Sequence, residues 1–167
     1  MGKWLLLLWL LPAAPSLAAV ALQQSVESLA RDSDAVVRGS VQRRAAGWRG
    51  GRIFTEVEVR VSEVWRGRAP ARVTVTVPGG EVGPIGQLVA GAPSFRDGEE
   101  VVLFLKRGPA GAWGVTGLGL GKFSLAGRTA RPDAGGMDVV PSPLAPGERP
   151  PEPMPVAELK RRVEEAR

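Results

Sequence analysis

Few residues of this chain can do chemistry, and most of those are carboxylates. Glu81, Asp97, Glu99 and Glu100 stand close in sequence, and by converging would supply the acid–base pair of a glycoside hydrolase. Nothing in their spacing sets a separation, and Glu99-Glu100 reads better as the charged start of a strand. Asp32 and Asp34 resemble the opening of a calcium loop, but the ordered oxygen ligands that must follow are missing. Gly117-Leu-Gly-Leu-Gly-Lys122 suggests a phosphate-binding loop. That motif needs a glycine where Thr116 stands and Ser or Thr where Phe123 stands. The run is therefore expected to be a glycine-rich bend, with Lys122 a surface charge. No Ser-x-x-Lys motif of a Ser-Lys hydrolase occurs.

Absences narrow the chemistry further. The 167 residues include no Cys, no His and no Tyr. Ser-His and Cys-His nucleophiles, thiol redox chemistry and the usual zinc sites are thereby excluded. No catalytic residue, cofactor or metal ligand is assigned, and the expectation is a protein that is not an enzyme.

Residues 1–21 have the pattern of an export leader. Lys3 precedes an apolar run from Trp4 to Leu11, and Ala19-Val20-Ala21 offers a cleavage pattern. The run is shorter than the roughly 20 apolar residues that span a bilayer. A mature chain beginning near Leu22 is expected in the periplasm or the medium, monomeric and without a transmembrane segment. Lacking cysteine in an oxidising compartment, it must be held by burial and hydrogen bonding.

The elements that would position any site are mostly strands. Leu22, Val26 and Leu29 predict a short helix over 22–31, stopped at Asp32-Ser33-Asp34. A first strand follows over 35–45, with Gly39 marking a bulge, and Gly47–Gly51 reads as a link. Over 52–65, Ile53, Thr55, Val57, Val59 and Val61 alternate with charged or polar residues, and Val73, Val75 and Val77 repeat the pattern over 72–77. Residues 101–105 are apolar throughout and should be covered on both faces, one of them by the first helix. Short strands are expected over 112–118 and 122–126. The Pro/Gly-rich stretch 127–155 reads as a linker, and residues 156–167 as a final helix. In that helix Val156, Leu159 and Val163 form an apolar stripe, with Glu158–Arg162, Lys160–Glu164 and Arg161–Glu165 as i,i+4 pairs.

Two features suggest binding. The segment 78–98 joins two strands and is longer than a compact domain normally leaves unstructured. It combines glycines and prolines with Val82, Ile85, Leu88, Val89 and Phe95. It is read either as a plug closing one end of the domain with Phe95, Ile85 and Leu88, or as a recognition loop. The recognition set is Gly79, Gly80, Glu81, Ile85, Gln87, Leu88, Phe95 and Arg96. The second feature is charge. The chain carries a net +5, and Arg43, Arg44, Arg49, Arg52, Arg66 and Arg68 fall in an arginine-rich run between Arg38 and Arg72. Such a face would attract a polyanion, whether nucleic acid, acidic polysaccharide or lipid headgroups.

The strand residues carry a resemblance. "SDAVVRGSV", "TEVEVRVSEVWRG", "VTVTVPGG" and "GEEVVLFL" look like an uncharacterised secreted bacterial β-barrel family. They are similar, more distantly, to the OB-like fold of netrin and metalloproteinase-inhibitor (TIMP-like) domains. The resemblance implies a small antiparallel OB-like β-barrel over 22–126, with a helix at each end of the mature chain. Inhibitors of that class chelate zinc through an N-terminal cysteine, which this chain lacks, so no inhibitory residue carries over. The sequence therefore predicts a secreted, non-catalytic module that binds a protein through 78–98, or a polyanion through its arginines.

Overall fold

The computed structural model describes residues 20–133, 136 and 138–166. The expected leader falls, for residues 1–19, outside the described residues. The described residues are mainly β with two α-helices. Two long strands, β2 (Ala35–Arg49) and β3 (Arg52–Gly67), form one antiparallel hairpin, turned by Gly50 and Gly51 at positive φ. A two-residue turn with both residues left-handed matches the twist of the flanking strands. The link expected over Gly47–Gly51 thus shrinks to its last two residues, and β2 runs on to Arg49.

β4 (Arg72–Pro78) pairs with β3, and β7 (Glu100–Arg107) pairs with β2, both antiparallel. β8 (Trp113–Val115) runs antiparallel to β7 and touches β4 in parallel at Val75–Trp113. The order β2-β3-β4-β8-β7 returns to β2, making a ring of strands. Outside the ring, β9 (Lys122–Ala126), β10 (Thr129–Pro132) and β12 (Met154–Pro155) extend the sheet from β7. Two small pairs stand apart: β1 (Val20–Leu22) with β11 (Asp138–Val140), and β5 (Gly80–Val82) with β6 (Ile85–Gln87).

Alternation explains the core. Val57, Val59, Val73, Val75 and Val77 face the ring interior with Val101, Leu103 and Leu105. The other face of β7 sends Val102 and Phe104 against α1 (Val26–Asp32), α2 (Val156–Glu165) and Phe123. Residues 101–105 are apolar throughout because both faces are covered, as the sequence predicts. Gly39 sits at a register shift, where a Cβ would meet Arg60 O at 2.4 Å.

Three expectations need correction. The first helix begins at Val26, because Ser25 is extended and caps it by accepting the Ser28 N–H at 2.9 Å. Leu22 therefore lies in β1, exposed, and not on the helical stripe. The stretch 127–155 is not a uniform linker, since β10 and β12 join the sheet and bury Ala130 and Met154. In α2 only Arg161–Glu165 forms of the i,i+4 pairs foreseen, at 2.8 Å. Arg162 reaches Glu27 on α1 and Lys160 reaches Glu63 on β3, because α2 packs its stripe onto the body of the domain.

Candidate functional site

The tip of the β2–β3 hairpin runs past the end of β4 as a two-stranded arm, and the segment after β4 folds back against it at Ala46, Ile53 and Thr55. Pro78 ends β4 opposite Phe54, and Gly79 then turns the chain at φ +93. A Cβ on Gly80 would strike Thr55 Oγ1 at 2.3 Å, so the backbone can lie this close to the arm only as glycine. The arm holds the segment through side chains as well as backbone. Thr55 Oγ1 donates to Gly79 O at 2.7 Å, the Gly79 N–H donates to Ile53 O at 2.8 Å, and Gln87 Oε1 accepts the Ile53 N–H at 2.9 Å. Gln87 completes the β3 ladder where β4 has ended.

Beyond β6 the chain is pinned again at residues 91–99. Gly91 O accepts the Gly119 N–H at 2.8 Å, and Ser94 donates through its N–H and hydroxyl to Asp133. Arg44 bridges Phe95 O and Asp97. Lys122 fills the centre of this base. Its side chain is only 2% exposed, with Nζ 2.9 Å from Glu99 and 4.8 Å from the centre of the Phe95 ring, and it donates to Ser94 O. The glycine run before it is a 3-10 turn that brings Gly121 against Thr116 O, where no Cβ fits. Lys122 is therefore an internal counter-charge, and the expectation of a surface lysine is corrected.

With its backbone fixed at both ends, the segment divides the eight residues read as a recognition set. Gly79, Gly80, Gln87 and Phe95 are structural: two permit close approach, one hydrogen-bonds and one is buried. Glu81, Ile85, Leu88 and Arg96 reach solvent. Of the three residues read as a plug, only Phe95 plugs. Ile85 is 50% exposed and Leu88 is 97% exposed. Trp48, which the sequence reading did not select, joins them from the arm. It stands one rung across from Ile53, the residue Gln87 holds, and is 53% exposed. A tryptophan beside a Gly-Gly turn was the available signal. A recess of about 230 Å³ between arm and segment is lined by Arg44, Thr55, Val77, Gln87, Leu88 and Phe95.

The arginines do not form one face. In the β2–β3 ladder Arg43 lies opposite Glu58 and Arg49 opposite Arg52, on the outward side, whereas Arg44 lies opposite buried Val57 on the inner side. Arg66 is roughly 45 Å of strand path from Arg52, and donates to Ala166 O at 2.8 Å beyond α2. Arg68 lies in the β3–β4 connection at that same far end. Arg44 pairs with Asp97 and Arg49 with Glu56, each at 2.8 Å. Among the described residues Arg43, Arg52, Arg68 and Arg96 have no ion pair.

The carboxylates considered for acid–base work are dispersed. Asp97 serves Arg44, Glu100 serves Arg38 and Glu99 serves Lys122 and Ser124. Burial pushes the Glu99 carboxyl up, but hydrogen bonds from Ser124, Lys122 and the Arg96 N–H outweigh it and hold the group below its ordinary value. Asp34 accepts the Arg107 N–H at 2.7 Å. Among the described residues no His, Cys, Asp or Glu group is placed to hold a metal ion. No helix among them is long and apolar enough to cross a membrane.

A second groove, of about 390 Å³, runs beside α2 and is lined by Arg38, Glu63, Trp65, Arg128 and Lys160. Of its charges, Arg38, Glu63 and Lys160 are engaged with one another. Glu63 accepts from Lys160 at 2.9 Å, from Trp65 Nε1 at 3.0 Å and from Arg38 at 3.1 Å. Compared with known proteins, the sequence matches no family model and none of the curated proteins searched.

Proposed function

We propose that the chain is an exported, non-catalytic binding module, and that its binding surface is the end formed by the arm tip and the 79–96 segment. One observation carries the reading: Leu88, Ile85 and Trp48 are presented to solvent on backbone that side-chain hydrogen bonds hold in place. Exposed apolar side chains on a mobile loop cost little and mean little. The same side chains on a pinned frame, at one end of a domain, mark an interaction site.

The strand connectivity supports the OB-like reading of the ring. Five strands close in the order β2-β3-β4-β8-β7, with a single parallel contact between β4 and β8, the third and fifth of them in chain order. In OB-like barrels the loop joining the first two strands takes part in binding, and here that loop is the arm tip. The polyanion reading narrows to the arginines of this end, because Arg66 and Arg68 lie at the other.

Retention of the full chain on a cell-envelope fraction containing both membranes and proteins tests the reading. Leu88→Asp with Ile85→Asp should lower retention at least tenfold while leaving the thermal midpoint unchanged. Unaltered retention would exclude this end as the binding surface.

A further inference from the structure

We infer that the partner of this end is an anionic lipid surface, entered by Leu88, Ile85 and Trp48 and held by Arg49 and Arg52. The inference rests on the proposed binding end and adds what occupies it. Residues 45–55 and 82–95, the two stretches that bring these side chains together, contain only two charged residues, Arg49 and Arg52, and both are cations. The adjoining acids are Glu56, which pairs with Arg49 at 2.8 Å across an exposed surface, and exposed Glu81 opposite Gly86 in the β5–β6 pair, so Arg52 is the cation of the zone without an ion pair among the described residues.

The apolar groups are separate prongs: Trp48 stands on β2, Ile85 at the start of β6 and Leu88 just after it. Leu88 is 97% exposed, so it stands at the rim of the 230 Å³ recess and projects away from it into solvent. A specific protein interface needs a continuous complementary surface of about 800 Å² per partner with a packed centre. A lipid surface needs less: a few apolar side chains entering the acyl boundary, with cations at the depth of the phosphates. Tryptophan suits that boundary, having an apolar ring and one N–H that stays hydrated. Arg49 and Arg52 flank the Gly50-Gly51 turn and lie opposite one another in the ladder. Arg52 has no ion pair among the described residues, and Arg43 lies behind on the same outward side, also without one. Apolar tip and cationic collar follow the layering of an anionic monolayer.

Vesicles of phosphatidylcholine with about 30% phosphatidylglycerol test this by sedimentation, with the full chain and its variants compared at equal lipid. Differences between variants decide the matter, since residues 1–21 are common to all. Leu88→Asp, and separately Arg49→Gln with Arg52→Gln, should each lower the partition coefficient at least tenfold. Val64→Asp, an exposed apolar position at the far end of β3, should not. Brominated lipid should quench the wild type more than Trp48→Phe, locating that ring in the bilayer. Equal partition of wild type and Leu88→Asp, equal quenching with and without Trp48, or an equal loss with Val64→Asp would overturn the lipid assignment. If Leu88→Asp leaves the vesicles unaffected yet still lowers envelope retention, the binding end stands and its partner is a protein. If it affects neither, both proposals fall.

Discussion

Lys122 Nζ lies 2.9 Å from Glu99 Oε1, with the lysine side chain almost wholly enclosed and the glutamate nearly so. The pair joins β9 to the residue just before β7, and Phe95 lies against the ammonium. It closes the base of the segment that carries the exposed apolar residues. The lysine of a failed phosphate motif thus organises the candidate site from beneath.

Removing one partner of an enclosed pair costs about 3–5 kcal/mol when the other charge is left alone; here Asp133 stays 3.5 Å from Lys122 and the Ser124 hydroxyl stays bonded to Glu99, which softens the loss. Glu99→Gln and Lys122→Met should each destabilise the chain by an amount near the lower end of that range. The double variant should lose clearly less than the sum of the two, as a urea-denaturation cycle would show. Additive losses would mean that the two groups are not coupled.

Stability should fall at acid pH through three glutamates. Hydrogen bonds from Lys160 and Trp65 lower Glu63, and the Ser25 hydroxyl and Arg31 lower Glu148. Glu99 is lowered as well, its hydrogen bonds outweighing burial. A depressed carboxylate stabilises the fold fully above its unfolded value and loses that contribution as pH falls through the folded one. The thermal midpoint should therefore hold above the ordinary glutamate value of 4.5 and decline below it. Glu99→Gln should flatten the decline. A midpoint independent of pH down to about 3 would contradict the assignment.

Arg162 should be irreplaceable by lysine. Its guanidinium bonds both carboxylate oxygens of Glu27, at 2.7 and 2.9 Å, and Arg149 O at 2.8 Å. A point charge cannot reproduce that fork. Arg162→Ala is expected to cost about 3 kcal/mol and to open α2 to proteolysis, with Arg162→Lys recovering little of either. Full recovery by lysine would show that only the charge matters.

Two glycines at similar φ should respond differently to alanine. Gly50, at φ +58, has open space around the missing Cβ, and Gly50→Ala should cost only the left-handed penalty of about 1 kcal/mol. Gly67, at φ +71, would place a Cβ 2.0 Å from Asp34 O, backbone against backbone. Gly67→Ala should lower the chemical denaturation midpoint far more, by more than about 3 kcal/mol in stability. Equal effects would show that the β2 start can move away from Gly67.

The strand pattern was legible because burial in a half-covered sheet has a period of two residues, as Val57, Val59, Val73, Val75 and Val77 display. The bulge at Gly39 was legible from a glycine inside a strand, and the double cover of residues 101–105 from an unbroken apolar run. The candidate site was legible as a segment but not as a set of side chains. Nothing nearby in sequence distinguishes buried Phe95 from exposed Leu88, since the difference lies in Lys122 and Arg44, which reach Phe95 from other strands. Trp48 stood out only once the segment had folded onto the arm beside it.

Taken alone, the sequence determined that histidine and cysteine chemistry is closed to this protein and that its valine-rich stretches become strands, because residue type and short-range alternation are local properties. Tertiary structure alone decided where the charges go: Arg162 finds Glu27, 135 residues away, in place of its helical neighbour. It also joined Thr129–Pro132 to the sheet and gathered Trp48, Ile85 and Leu88 at one end. Those outcomes depend on which distant surfaces pack together, and pairing across a closed ring is settled by the whole chain at once.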